Sequence, residues 1–105
     1  MEVICDAIDI SEGAARRFLV NNLDLIVVQS HGRLYAYKNE CPHMNLPLTN
    51  RSKGIIDKNQ EHLVCMQHGA EFYIENGCCV KGPCQGMDLE PVNIETKYGK
   101  LLLRE

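Results

Sequence analysis

Two short segments of this sequence combine thiol and imidazole side chains at a spacing suited to binding metal. The first is Cys41-Pro42-His43, and the second, after 21 intervening residues, is Cys65-Met66-Gln67-His68. Each segment is short enough to lie on one loop and to direct both side chains at one point. Thiolate and imidazole bind both zinc and iron–sulfur iron well. The four residues therefore predict either a tetrahedral structural zinc or a two-iron cluster in which His replaces Cys on one iron.

The order of the ligands favours the two-iron cluster over zinc. Many zinc sites place like ligands together, with a pair of Cys followed by a pair of His. Here each segment supplies one Cys and one His. Each loop can therefore give a Cys to one iron and a His to the other.

At these residues the sequence resembles the Rieske iron–sulfur family, and the resemblance covers nearly the whole chain. It rests on Cys41-Pro42-His43, on Gly69 after the second His, and on Gly82-Pro83-Cys84. The last of these looks like the family's third, proline-containing loop, which covers the cluster. The flanking segments 34–39 and 46–48 are similar to the small Rieske ferredoxins.

The resemblance implies one [2Fe–2S] cluster, with Cys41 and Cys65 on the buried iron and His43 and His68 on the outer iron. It also implies an all-β fold, in which an antiparallel sheet base carries a smaller β subdomain with the cluster at its tip. Because two neutral imidazoles replace two thiolates, the cluster is less negative and its reduction potential is higher than in four-Cys ferredoxins.

Four further positions are typical of the ferredoxin branch of the family. Respiratory members carry two additional Cys that join the ligand loops by a disulfide, whereas this chain has Leu46 and Gln67 there. In the high-potential branch a Ser and a Tyr donate hydrogen bonds to the cluster and to a ligand Cys, and here those positions hold Ala70 and Phe72. The resemblance therefore implies no disulfide between the ligand loops and a low reduction potential.

Length and composition are those of one small globular domain. The chain has 105 residues, of which 45% are hydrophobic and 24% charged, as in ordinary globular proteins. A net charge of −3 gives no sign of nucleic-acid binding. The start of the chain has no basic region followed by an apolar stretch, and the longest central apolar run is 25–28. We therefore expect no signal peptide, no membrane contact and a cytoplasmic location.

The six cysteines are interpreted as a metal pattern and not as a disulfide framework, because a chain without an export signal is expected in a reducing compartment. Cys5 is predicted to be a small buried hydrophobic residue. Cys79 and Cys84 flank the third loop. The sequence leaves open whether Cys78, Cys79 or Cys84 forms a disulfide.

Short apolar runs between turn residues predict an all-β chain. The most apolar run, 23–30, is expected to be a central strand. Segment 49–60 is interpreted as a loop, and His31 and His62 as surface residues. The expected strands are 3–10, 14–20, 23–30, 33–38, 61–65, 71–74, 92–96 and 100–104. The expected turns are Asn21-Asn22, His31-Gly32, Asn76-Gly77 and Tyr98-Gly99.

A change in composition predicts two parts within the single Rieske domain 1–105. Residues 39–86 are rich in Gly, Pro, Cys and His and are interpreted as an inserted cluster-binding subdomain. Residues 1–38 and 87–105 would form the base.

The function expected from the resemblance is electron transfer and not enzymatic catalysis. A one-electron carrier of this kind, the ferredoxin component of a dioxygenase or related system, would take electrons from a flavin- or nicotinamide-linked reductase. It would pass them to an oxygenase or related oxidoreductase. A Rieske oxygenase needs a second, mononuclear iron held by two His and a carboxylate, and His31 and His62 do not have that spacing.

Two alternatives stay open from the sequence. One is an accessory small subunit of a nitrite-reductase-like complex, a group that often lacks the cluster ligands, so the four ligands present here argue against it. The other is a zinc-stabilised structural module.

Overall fold

Antiparallel strands make up almost all the regular structure of the residues that the computed structural model describes, which are 2–42, 47–49, 52–66, 69–82 and 87–104. The prediction of an all-β chain is confirmed. None of the helical structure in these ranges is long and apolar enough to cross a membrane. The strands are β1 (Glu2–Asp6), β2 (Ala15–Val20), β3 (Leu23–Ser30), β4 (Arg33–Lys38), β5 (Ile55–Ile56), β6 (His62–Val64), β7 (Glu71–Tyr73), β8 (Cys79–Lys81), β9 (Ile94–Lys97) and β10 (Lys100–Leu103).

Within the described part of the chain, the strands form three sheets with the orders β1-β10-β9, β2-β3-β4 and β5-β6-β7-β8. Strand β3 is the middle strand of its sheet, as its apolar sequence predicted. The four strands of the third sheet all fall within the segment 39–86. The exact limits of a cluster-binding subdomain stay a prediction.

Strand β3 is buried on both faces and separates two hydrophobic clusters. Successive side chains of a strand point to opposite faces, so Leu25 and Val27 lie in one cluster while Ile26 and Val28 lie in the other. All four are at most 1% exposed. The base cluster consists of Ile10, Leu25, Val27, Ala36 and Leu101. The ligand-side cluster consists of Ala15, Ile26, Val28, Tyr37, Cys41, Leu48, Leu63, Cys65, Ala70, Phe72, Ile74 and Leu89.

Three of the predicted turns join strands in the tight geometry that a right-handed twist prefers. Both central residues have positive φ at Asn21-Asn22 (51° and 64°), His31-Gly32 (52° and 79°) and Tyr98-Gly99 (55° and 74°), which is the type I′ pattern. Glu12 reinforces the second turn, because its carboxylate accepts hydrogen bonds from the backbone N–H groups of His31 at 2.7 Å and Gly32 at 2.8 Å.

Several predicted strand limits are wrong for identifiable reasons. The first strand ends at Asp6 and not at residue 10, because Ala7–Asp9 forms a 3-10 turn whose first N–H donates to the Gly99 carbonyl. Strand β9 begins two residues later than predicted, since the Val92 N–H donates to Ala36 of β4. Strands β5 and β8 were not predicted. They have two and three residues and are too short to show an alternating pattern.

Tyr37 joins β4 to the turn that follows β7. Its hydroxyl donates a hydrogen bond to the Ile74 carbonyl at 2.5 Å. Burial raises the pKa of Tyr37 to about 12. Gly77 lies against the ring with φ +78°, and a Cβ added there would be 2.9 Å from Tyr37 Cε1. Both the backbone conformation and the close contact therefore favour glycine at this position.

Tyr37→Phe is expected to lower the free energy of unfolding by about 1–3 kcal/mol, because it leaves a buried carbonyl without its donor while keeping the packed ring. Urea unfolding would measure the loss. Tyr98→Phe removes the same hydroxyl from a residue that is 91% exposed and should change stability by less than about 0.5 kcal/mol. Equal losses in the two variants would contradict the role given to this hydrogen bond.

Candidate metal centre

The two predicted Cys ligands lie in one buried core. Cys41 follows β4 and Cys65 follows β6, 24 positions apart in the chain, and both are 0% exposed. Both belong to the ligand-side cluster. The two predicted His ligands, His43 and His68, lie outside the described residues. The structure therefore brings together the thiol half of the predicted ligand set.

Burial distinguishes these two positions from Cys5 and Cys78. Neither Cys41 nor Cys65 is disulfide-bonded, and the same holds for Cys5 and Cys78. Burial, followed by nearby Asp9, raises the pKa of Cys5, and burial together with Asp88 raises the pKa of Cys78. These two thiols are protonated at neutral pH and lie outside the ligand-side cluster. Two fully buried cysteines in one core fit the dry environment of two Cys ligands on one iron.

One cysteine beyond the predicted ligands forms a covalent bond. Cys79, in β8, is disulfide-bonded, while Cys78 beside it is free. The sequence left open whether Cys78, Cys79 or Cys84 forms a disulfide, and the structure answers this for Cys78 and Cys79. A disulfide was not favoured by the reducing compartment that the sequence led us to expect. Cys84, the last residue of the Gly82-Pro83-Cys84 segment, lies outside the described residues.

Main-chain hydrogen bonds close the second ligand loop. The Cys65 N–H donates to the Ala70 carbonyl at 2.7 Å, and the Gly69 N–H donates back to the Cys65 carbonyl at 3.0 Å. Gly69 has φ +68°, and a Cβ added there would meet nothing within 4 Å. Of the two reasons that the sequence suggested for this glycine, the backbone conformation is the one the described residues support.

The start of the third loop packs directly on the second. Gly82 has φ +102°, and a Cβ at this position would lie 3.0 Å from Cα of Ala70. Any other residue would be strained by this positive φ, and its Cβ would crowd the backbone of Ala70. Ala70 is itself 0% exposed, so the first residue of the proline-containing segment helps to cover the core around Cys65. Pro83 lies outside the described residues.

His62 is more buried than the predicted surface position. Its side chain is 23% exposed, and Nδ1 lies 3.2 Å from Asp57 Oδ2 and 3.1 Å from Glu71 Oε1. Its ring meets Tyr73 edge-on with centroids 5.0 Å apart. Asp57 lies just after β5, whereas Glu71 and Tyr73 lie in β7, which pairs with the strand β6 that contains His62. A reading of residues near His62 in sequence therefore missed them.

Main-chain hydrogen bonds hold the Asp57 carboxylate of this group in place. Its Oδ1 accepts hydrogen bonds from the backbone N–H groups of Glu61 at 2.9 Å and His62 at 3.0 Å. Partial burial alone would raise the pKa of Asp57, but these two N–H groups and the imidazole together outweigh it. The pKa therefore lies below its ordinary value of 3.8.

Asp57→Asn is expected to lower stability at pH 7 by about 1 kcal/mol, because it keeps an oxygen for the two N–H groups but removes the charge beside His62. A carboxyl whose pKa is lowered by folding contributes stability above its unfolded pKa and loses it on protonation. The difference in stability from wild type should thus persist as the pH is lowered to about 5. It should be lost as the pH falls further, below the ordinary carboxyl pKa of 3.8 and through the lower pKa of the folded protein. Urea unfolding at several pH values would measure it.

Asp9→Asn, at an exposed carboxylate, is the matched control and should leave stability unchanged across the same pH range. A stability difference for Asp57→Asn that stayed at its full size well below pH 3.8, where the wild-type carboxyl becomes protonated, would contradict the assignment.

Comparisons with known proteins agree with this core. The sequence profile of the Rieske [2Fe-2S] domain family matches residues 1–96. No curated protein matches the chain in sequence.

Solved structures of ferredoxins share the fold. The ferredoxin of carbazole 1,9a-dioxygenase from Nocardioides aromaticivorans IC177 superposes with a TM-score of 0.80 at 19% identity, covering 96% of this chain and 93% of that chain. The Sphingomonas yanoikuyae B1 ferredoxin superposes with a TM-score of 0.82 at 22% identity, covering 98% and 96%. A chain in a complex of reduced oxygenase and oxidized ferredoxin in carbazole 1,9a-dioxygenase gives a TM-score of 0.79 at 26% identity, covering 96% and 89%.

The profile match spans most of the chain, and Cys41 and Cys65, the two cysteines of the motif, are fully buried in one core. The cofactor implied by the domain is a Rieske-type [2Fe–2S] cluster. The chain belongs to the Rieske [2Fe–2S] domain family.

Proposed function

We propose that this chain is a Rieske-type ferredoxin, a one-electron carrier whose [2Fe–2S] cluster is bound by Cys41, His43, Cys65 and His68. The observation that carries the proposal is the pair of cysteines Cys41 and Cys65, both 0% exposed and neither disulfide-bonded, in one hydrophobic cluster. When bound, the cluster supplies one-electron redox chemistry at a potential set by its ligands and surroundings.

The chain's own residues would bind the cluster and keep water from its inner side. Leu48, Ala70 and Phe72 are at most 1% exposed and share the ligand-side cluster with both thiols. An apolar surrounding of this kind controls solvent access and the local dielectric at a metal site. By resemblance, His43 and His68 would bind the outer iron, from which the electron would cross to a partner.

An oxygenase is the acceptor that we propose. The support is the 26% identical chain in a complex described as reduced oxygenase with oxidized ferredoxin. The donor in this proposal is a flavin- or nicotinamide-linked reductase, whose electrons a low-potential cluster can accept. No substrate chemistry is assigned to this chain, so it would act as the ferredoxin component and not as the enzyme.

Iron and acid-labile sulfide analysis of protein purified without oxygen would test the ligand set. We expect about two irons and two sulfides per chain, a red-brown colour, and rapid reduction by a flavin-linked reductase followed by reoxidation by an oxygenase. Stoichiometric zinc without sulfide would overturn the cluster and favour the structural module. A cluster that is reduced but never reoxidised by any oxygenase would overturn the acceptor alone.

The four-ligand assignment has an internal control in the other cysteines. Cys41→Ser and Cys65→Ser should each lose iron and sulfide, whereas Cys5→Ser, which changes a free thiol outside the ligand-side cluster, should retain both. Retention of the full cluster in Cys41→Ser would show that the ligands are wrongly assigned.

A further inference from the structure

A buried polar pair closes the first ligand loop. Asn39 and Thr49 are 6% and 2% exposed, and they flank the segment that contains Cys41. The Asn39 side-chain Nδ2 donates to the Thr49 carbonyl at 2.9 Å, and the Thr49 N–H donates to Asn39 Oδ1 at 3.1 Å. One side-chain amide thus pairs with both main-chain groups of a single residue, as a neighbouring strand would.

The Asn39 amide is itself held in place from the base side. Its backbone N–H donates to the Asp24 carbonyl at 2.9 Å, and Nδ2 lies 3.3 Å from both Asp24 carboxylate oxygens. That carboxylate is fixed by Arg17, which donates from Nε at 2.8 Å and from Nη2 at 2.7 Å. Because a carboxylate only accepts hydrogen bonds, Asp24 requires the NH2 end of the Asn39 amide on its side, and the same NH2 group then donates to the Thr49 carbonyl.

The same pair connects the first ligand loop to the second. Leu48, next to Thr49, accepts a hydrogen bond at 3.0 Å from the N–H of Met66, which directly follows Cys65. Leu48 is 1% exposed and packs in the ligand-side cluster. A continuous set of contacts therefore runs from Asn39 through Thr49 and Leu48 to the backbone beside Cys65.

We propose that Asn39 is a positioning residue for the cluster: its amide fixes the ends of the first ligand loop and sets Cys41 relative to Cys65. This inference rests on the ligand set proposed above. The main-chain bonds of the second loop do not depend on side-chain identity, whereas the closure of the first loop does. A change of one amide should therefore loosen the cluster while most of the fold stays intact.

Asn39→Asp tests this in the purified, cluster-loaded protein, because it replaces the donor Nδ2 by an oxygen that faces the Thr49 carbonyl and the Asp24 carboxylate. The readouts are the rate of cluster loss to an iron chelator and the EPR g-values of the reduced cluster. Loss of a group that orients metal ligands typically weakens metal binding by about 10–100-fold, so we expect chelator release at least about 10-fold faster and shifted g-values.

Three further variants separate positioning from general destabilisation. Thr49→Val removes the hydroxyl that donates to Lys53 but keeps both main-chain contacts with Asn39, so its g-values should match wild type. Asn93→Asp makes the same change at an exposed base residue and should change neither readout. Leu103→Val weakens the base, where Leu103 is 5% exposed, and should lower the melting temperature without shifting the g-values.

If Asn39→Asp does not fold, Asn39→Ser, which shortens the side chain without adding charge, takes its place with the same expected shifts. Wild-type release rates and g-values in a folded Asn39 variant would overturn the positioning role and leave the proposed function intact. A wild-type protein that carries no [2Fe–2S] cluster would overturn both.

Discussion

Cys65→Ser is expected to be purified without its [2Fe–2S] cluster and to unfold about 15–30 °C below wild type. A ligand present at about 1,000 times its dissociation constant stabilises the native state by about 4 kcal/mol. For a domain of this size each kcal/mol shifts the melting temperature by about 4–8 °C. The effect should be large because the Cys65 side chain lies fully buried in the ligand-side cluster, and a cluster bound there would stabilise only the native state.

Differential scanning calorimetry and visible absorption would measure both parts of this prediction. Cys5→Ser is the matched control, since Cys5 is a free thiol that packs against the base cluster, and it should keep the cluster and melt within a few degrees of wild type. If Cys65→Ser loses its colour but melts with wild type, then the cluster does not contribute to folding, and the apolar ligand-side cluster is sufficient on its own.

The features that the sequence predicted best are those set by adjacent residues. The type I′ turns at His31-Gly32 and Tyr98-Gly99 follow from local backbone preferences, and β3 follows from an uninterrupted apolar run. Cys41 and Cys65 could be singled out as candidate ligands because each belongs to a compact motif that fixes residue type and spacing. Burial of Cys41 and Cys65 in one core then follows from the fold that the motif implied.

The features that the sequence did not predict depend on residues brought together by the fold. Asn39 pairs with Thr49 across ten positions, and His62 meets Glu71 through the pairing of β6 with β7. The residues next to Asn39 in the chain do not indicate that its side chain pairs with Thr49. The position of Asn39 two residues before Cys41 is the signal that could have drawn attention to it. The disulfide of Cys79 was left open because two cysteines near one loop do not reveal their separation in space.

The reduction potential of the wild-type cluster is expected to lie below zero at neutral pH, in the lower part of the Rieske range of about −150 to +300 mV. By resemblance, high-potential members place a Ser and a Tyr hydroxyl near the cluster sulfurs, where this chain has Ala70 and Phe72. Both residues are 0% exposed and lie in the ligand-side cluster with Cys65. A hydrogen-bond donor near sulfur stabilises the more negative, reduced cluster, so its absence lowers the potential.

Phe72→Tyr is therefore expected to raise the potential by at least about 60 mV, which for one electron is a tenfold change in the equilibrium constant. Ala70→Ser should shift it in the same direction, and protein-film voltammetry would measure both. Tyr73→Phe is the control, because this neighbour on β7 is 40% exposed and points to the opposite face of the strand. Its potential should match wild type.

A wild-type midpoint potential well above zero would refute the low-potential assignment. A fall in potential on Phe72→Tyr would show that the hydroxyl does not donate towards the cluster. A low value suits reduction by a flavin- or nicotinamide-linked donor, so the measurement also decides which partners can supply the electron.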